Sequence, residues 1–391
     1  MNMGIPYELK KCNNLRMKIT VKNTCLVFGI ALLFTTVSCV KDKKIVDEKP
    51  PFDRKVMLEN IGNEIIIPNY NTLLTQVQAL NLAVDNFTAA PNDINLEECK
   101  TAFLNSWKAW QHCSTFEIGP AEQRILRANI NSFPTDTNKI NNNIRSGSYN
   151  LATASNLTAK GFPSIDFLLF HSTLSSDIVL QYTTDEHAEK RKQYLNTLVA
   201  EIVDQVTYVN NQWIASGGNY IGTFTTSLGN NAGSSIGMLV NQLNYDYEII
   251  KTNKLGIPLG KKSLGTPYPE KVEAYYCGKS MDLIKENFNA IEALYLGKTS
   301  SGTNKTGLDD YLLHLDAKHN SSTLDAAIKE QFVVTRTAIA AVPDPLSSTI
   351  LNNTTLVNSA YIEIQKAVVL LKADMPSALG VLITYQDNDG D

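Results

Sequence analysis

The densest unusual stretch of the chain is Lys160-Gly161-Phe162-Pro163-Ser164-Ile165-Asp166-Phe167-Leu168-Leu169-Phe170. It sets one carboxylate, Asp166, inside an otherwise apolar helical turn. An unpaired carboxylate is costly to bury, so Asp166 needs a partner or a cavity. Two roles fit it. Ligand binding with Ser164 is one, and its hard oxygens suit a cation such as Ca²⁺ or Mg²⁺ better than zinc. Service at a helix start is the other: Pro163 suits a first turn, and an acid three positions later favours the helix dipole. The five histidines offer little more. His171 follows Asp166 by five residues, roughly 140° around a helix, and His314 and His319 repeat that spacing. His112 and His187 have no second ligand nearby in sequence, and no His-Glu-x-x-His motif exists. Asp387-Asn388-Asp389-Gly390-Asp391 imitates the opening of a calcium loop, but the sequence ends before the closing Glu such a loop needs. It reads as a solvated acidic end.

Other catalytic signatures are absent. There is no phosphate-binding loop, dinucleotide fingerprint or Gly-x-Ser-x-Gly elbow. The stretch from Gly229 to Ser235 is rich in Gly and Ser but lacks Lys, and it reads as a loop capping a helix that begins near Ser235. Trp107 and Trp110 could stack on a ligand, yet at helical spacing they fit a core.

These residues need elements to position them. Lys18 and Lys22 precede an apolar run from Leu26 to Val37 that ends at Ser38-Cys39. This is the grammar of a signal peptide, too short to span a bilayer core of about 30 Å. Thr36-Val37-Ser38-Cys39 resembles a lipobox, with Thr36 where Leu is usual, so Cys39 is the expected lipidation site of a membrane-anchored mature chain. Residues 39–54, charged and Pro-rich, form the tether. The full chain carries a net charge of −4. Removing residues 1–38, with five basic side chains and one acidic, leaves −8. No basic stripe remains for nucleic acid. After Cys39 only Cys99, Cys113 and Cys277 are left, an odd number that describes no disulfide framework.

Beyond the tether, helical periodicity dominates. Apolar stripes run through Leu73, Val77, Leu80 and Phe87, then Phe103, Trp107 and Trp110, then Leu195, Leu198, Ile202, Val206, Val209 and Trp213, then Leu239, Leu243, Tyr247 and Ile250. The Ile65–Ile67 run could be a strand but reads better as a helix ending at Pro68, and Pro68 is also a natural start or kink for the stripe that follows. Residues 254–269, with three Gly and three Pro, read as a crossover. Three more stripes follow, around Leu283–Leu294, after Ser322-Thr323-Leu324-Asp325 with its capping-box-like pattern, and along Val357–Leu371. The pattern predicts an all-α protein of two helical bundles, 55–253 and 270–391, with duplication of one by the other a guess from helix number alone.

The Gly161 to Phe170 stretch also resembles the signature of the imelysin family, which reads Gly-x-His-x-x-Glu followed by an aromatic and Leu-Leu-Phe. Gly161 matches its Gly, Pro163 stands at the His, Asp166 stands at the Glu, and Phe167-Leu168-Leu169-Phe170 matches the tail. Trp107, Trp110-Gln111, Phe116 and Gly119-Pro120 resemble its Trp-rich segment. Pro269, Val272-Glu273, Tyr295-Leu296-Gly297 and Leu379-Gly380-Val381 resemble its second half and ending. The resemblance covers about residues 55 to 391. It implies an all-helical envelope protein linked to iron uptake and filed among metallopeptidases, with a site where the halves meet and the His and Glu as metal residues. Proline cannot ligate, so the zinc-type reading loses its best ligand here and no metal site is assigned.

Three readings follow. In the first, a lipoprotein whose inter-bundle cleft binds a ligand connected with iron or nutrient uptake, Ser164, Asp166, Glu117 and Glu273 supply polar contacts. Its partners would be the membrane and iron-uptake envelope proteins, its place the periplasm-facing or outer-membrane surface. The second is a metallopeptidase, and the third a structural partner with no small ligand. Mass spectrometry of the mature N-terminus tests the anchor: an acylated Cys39 is expected, and cleavage there without acyl mass would remove the lipoprotein reading.

Overall fold

The apolar stripes fold as helices in a computed structural model that describes residues 49–385. The signal segment, Cys39, the tether up to residue 48 and the 387–391 tail lie outside these residues. The long helices are α1 (Ile67–Ala89), α2 (Asp93–Gln111), α3 (Gly161–Phe170), α4 (Ala188–Trp213), α5 (Ser235–Glu248), α6 (Ser280–Tyr295), α7 (Leu324–Ala341) and α8 (Thr354–Val369). Their starts follow local chemistry. Asn92 accepts the Asn95 N–H at the head of α2, Ser234 that of Gly237 at α5, and Thr323 that of Ala326 at α7. Such caps satisfy donors that have no helical partner. The Gly229–Ser235 loop therefore does cap the helix beginning at Ser235. The N-cap of α7 is Thr323 rather than Ser322, because residues 322–323 pair with 318–319 in a two-residue hairpin. That hairpin is the only named sheet among the described residues, and it is too short to leave a period-2 signal.

Burial follows the stripes. Tyr70, Leu73, Val77, Leu80, Val84 and Phe87 of α1 are buried against α2 and α4, and the predicted α4 stripe from Leu195 to Trp213 is buried throughout. Downstream, α7 packs on α8 and α6, while α6 also lies on α2 and touches α5. The segment before α1 reaches across the sequence too. The Asn60 amide donates to the carbonyls of Gly297 and Thr306 at 2.8 and 3.0 Å, and Phe52 stacks on Tyr311.

Helices do not stop where proline predicts. The turn at Ile61–Ile66 widens into a π-helix and the chain continues straight into α1, with Pro68 in its first turn. The same device recurs at Ile249–Gly256 before Pro258 and at Leu370–Asp374 before Pro376. Proline has no N–H and its ring crowds the carbonyl four residues earlier, so a widened turn lets the helix absorb it. For Pro68 that carbonyl belongs to Glu64, and it accepts the Ser300 N–H at 3.1 Å instead. Within residues 254–269, Lys254 to Gly256 are still helical and buried despite the Gly and Pro that follow. Leu198 is fully buried, so Leu198→Ala should lower stability by about 2–5 kcal/mol in urea unfolding. A change under about 0.5 kcal/mol, the range of ordinary surface substitutions, would contradict this packing.

Candidate functional site

The Gly161 to Phe170 stretch is helix α3, and its first residues are placed by sterics. Gly161 adopts φ +72°, and a Cβ there would sit 2.3 Å from the Ile130 carbonyl oxygen, so only glycine fits. Pro163 falls in the first turn, where no N–H is needed. The buried Ser164 hydroxyl donates to the Lys160 carbonyl at 3.1 Å and meets the Thr135 hydroxyl at 3.0 Å. Asp166 serves neither its own helix start nor open solvent. Its two oxygens accept the main-chain N–H groups of Tyr276 and Cys277 at 3.0 and 2.9 Å. The carboxylate thus pins a turn 110 residues downstream, in which Ala274 takes a positive φ. Burial pushes the Asp166 carboxyl up to about 7, against the pull of Cys277 and the two N–H donors, while the charge of Glu273 adds to the rise.

Beside it lies a cavity of about 30 Å³ walled by Pro134, Pro163, Asp166, Glu270 and Tyr276, room for about one water molecule. These residues do not fit a zinc-type centre: Pro163 offers no donor and Asp166 is held by main-chain N–H groups. Among the described residues no group of three His, Cys, Asp or Glu is placed to hold a metal ion.

Glu273 and Glu117 sit in a buried polar network. Glu273 is 1% exposed. Its carboxylate lies 2.9 Å from the Lys254 ammonium and accepts from Gln111 at 3.1 Å and Asn131 at 2.8 Å. Lys254 also donates to Gln111 at 2.6 Å, and the Trp107 indole donates to Asn131 at 2.8 Å. Glu117 pairs with Arg127 at 3.4 Å and accepts its main-chain N–H at 3.1 Å. Burial raises its carboxyl, with Arg127 opposing. Asp246 accepts from Ser114, Thr115 and Asn287 at 2.7–2.8 Å. The structure therefore brings Asp166 and Glu273 to one segment, residues 273–277, and engages both from within the protein. Trp107 and Trp110 are core residues, and Cys99 and Cys113 are buried free thiols with Cys277 half-buried.

Open space lies elsewhere. A cleft of about 710 Å³ separates the start of α1 and the end of α2 from α6 and the 298–302 loop. Ala109, Ala290 and Ala293 line it, with Asn69, His112, Asn289, Glu292, Lys298 and Arg336 among its polar residues. This size suits a small-molecule ligand. Sequence spacing could not reveal it, because its walls come from residues up to 271 positions apart (Ile65 to Arg336). His112, which has no partner nearby in sequence, meets Glu286 at 3.0 Å across the cleft side of α6.

The raised Asp166 carboxyl has a testable consequence. An ordinary Asp titrates near about 4 in an unfolded chain, whereas the folded one titrates at about 7. The folded state holds the proton more tightly, so this contribution to stability is complete below about pH 4 and is lost as pH rises through about 7. Urea unfolding should show the wild-type chain losing stability relative to Asp166→Asn across that window. Parallel profiles would assign the proton to another group.

Known proteins resemble this chain over most of its length. Iron-regulated protein A of Synechococcus elongatus is 22% identical over 322 residues, covering 82% of each chain. Two crystal structures share the fold at 18% identity, each matching 85% of this chain and 97% of its own. One is described as an iron-regulated protein A precursor from Parabacteroides distasonis, with a TM-score of 0.69, and the other is an imelysin-like protein from Psychrobacter arcticum, at 0.61. The family model for imelysin, peptidase M75, matches residues 66–372. With most of its described helices inside that match, the chain belongs to the imelysin family.

Proposed function

We propose that this chain is an envelope lipoprotein that binds a small ligand connected with iron or nutrient uptake, and that the ligand occupies the α1–α2–α6 cleft. The observation that carries the reading is the cleft itself: 710 Å³ of open, mixed-polarity space whose walls come from both sides of the 254–269 crossover. By contrast, the signature carboxylate is bound to main-chain N–H groups beside a 30 Å³ cavity, which favours binding over a metallopeptidase centre. The relative named iron-regulated protein A supports the iron connection. The signal grammar and Cys39 support an anchored envelope position, and no helix among the described residues is long and apolar enough to cross a membrane. Ala293, half-buried on the cleft wall, gives the test. Ala293→Trp should obstruct the cleft, leave the thermal melt unchanged, and reduce growth under iron limitation to that of a deletion strain. Wild-type growth with the obstructed cleft would defeat the reading.

A further inference from the structure

Resting on that reading, the side chains around the cleft point to one class of ligand. Two carboxylates stand at or beside its wall, and each already has a partner. Glu292 is gripped twice by Arg336, through Nε at 3.2 Å and through Nη2. Glu286 meets His112 at 3.0 Å. Lys298 stands apart from these pairs. It lines the cleft from the 298–302 loop, is exposed, and has no carboxylate or hydrogen-bond acceptor for its ammonium among the described residues. Arg336 uses only one edge on Glu292, so Nη1 remains on the other. Asn69 on α1 and Asn289 on α6 present amides from facing walls, and among the described residues neither side chain has a hydrogen-bond partner.

The loop that carries Lys298 is fixed rather than loose. The Lys298 N–H donates to Ala293 O at 2.8 Å, Thr299 and Thr303 share a 2.8 Å main-chain bond, and Ser300 is tied to Glu64. A Cβ at Gly302 would sit 3.8 Å from the Lys298 side chain. Below these polar heads the floor is made of the small apolar side chains Ala109, Ala290 and Ala293 with Ile65 and Leu296.

We infer that the cleft binds a small multivalent carboxylate, held by Lys298 and the free edge of Arg336 and oriented by Asn69 and Asn289. The donors are cationic or amide and Glu292 on the wall is neutralised by Arg336, so an anionic guest gains charge-assisted hydrogen bonds while a cationic guest meets Lys298. The donors come from four segments, α1, α6, α7 and the 298–302 loop, so a guest with several carboxylates can engage more of them than a guest with one. Small polycarboxylates are also hard-oxygen chelators of ferric iron, which joins this chemistry to the iron connection. The guest can be the free acid or its ferric complex.

Isothermal titration of the full chain separates these cases. Probes are citrate, ferric citrate, tricarballylate, inorganic phosphate, mannitol and spermidine. Citrate, its ferric complex or both should bind, and binding should weaken as salt rises. Lys298→Glu should weaken it by about tenfold or more, the loss of one charged hydrogen bond, with Lys298→Arg close to wild type and Ala293→Trp abolishing it. Binding of the ferric complex alone would assign that source. Carboxylate binding unaffected by Lys298→Glu would overturn the assignment. Mannitol, phosphate or spermidine binding in preference, and lost in Ala293→Trp, would overturn the carboxylate class yet keep the cleft. Absence of any probe binding overturns the carboxylate inference alone, since the iron-limited growth of Ala293→Trp judges the cleft separately.

Discussion

Two opposite charges taken out of water hold the middle of this molecule. Lys254 and Glu273 are 2% and 1% exposed. Burying a single ion costs several kcal/mol, and only close pairing with further hydrogen bonds offsets it. Here Gln111 bonds both partners and Asn131 bonds the carboxylate. The geometry propagates. With Glu273 fixed, the next turn presents the N–H groups of Tyr276 and Cys277 to Asp166, and Ser280 bonds back to the Glu273 carbonyl as α6 begins. Asp344 caps that helix from outside, accepting from Met281 and Asp282. The floor and one wall of the cleft are then faces of α6. A charge pair in the core thus sets the position of a surface cavity.

The imelysin signature takes on a mechanical meaning in this chain. Gly161 is demanded by the Ile130 carbonyl, and Asp166 is demanded by two main-chain donors across the fold. Neither demand involves the side chain at position 163. A proline there satisfies the helix start, so the fold keeps its turn while the position loses any capacity to ligate. Resemblance over residues 66–372 and departure at one motif position are compatible for that reason.

Much of the fold was legible in the sequence because an amphipathic helix advertises itself every three or four residues. The stripes of Leu195 to Trp213 and Leu283 to Leu294 mark helices whose buried faces match them. Pro68 marks the start of α1, as a first-turn proline can, but the π-turn at Ile61–Ile66 that carries the chain into it leaves no obvious sequence mark. The Gly and Pro of residues 254–269 hid the helical end of that segment, where Lys254 is buried beside Glu273. At the site, Ser164, Asp166, Glu117 and Glu273 were legible as unusual polar residues, but spacing could not say whether they faced a ligand or one another. The cleft left no local signal at all, because Asn69, His112, Asn289 and Arg336 converge only once α1, α2, α6 and α7 have packed.

Pro68 has an effect at a distance. By denying an N–H to the helix it leaves the Glu64 carbonyl with a lone pair to place, and the Ser300 N–H takes it. The cleft loop is therefore moored to a ring built from a missing hydrogen bond, more than two hundred residues earlier in the chain. A residue with an N–H at position 68 would compete with Ser300 for that carbonyl, so one ring-closed residue bears on a loop at the rim of the cleft.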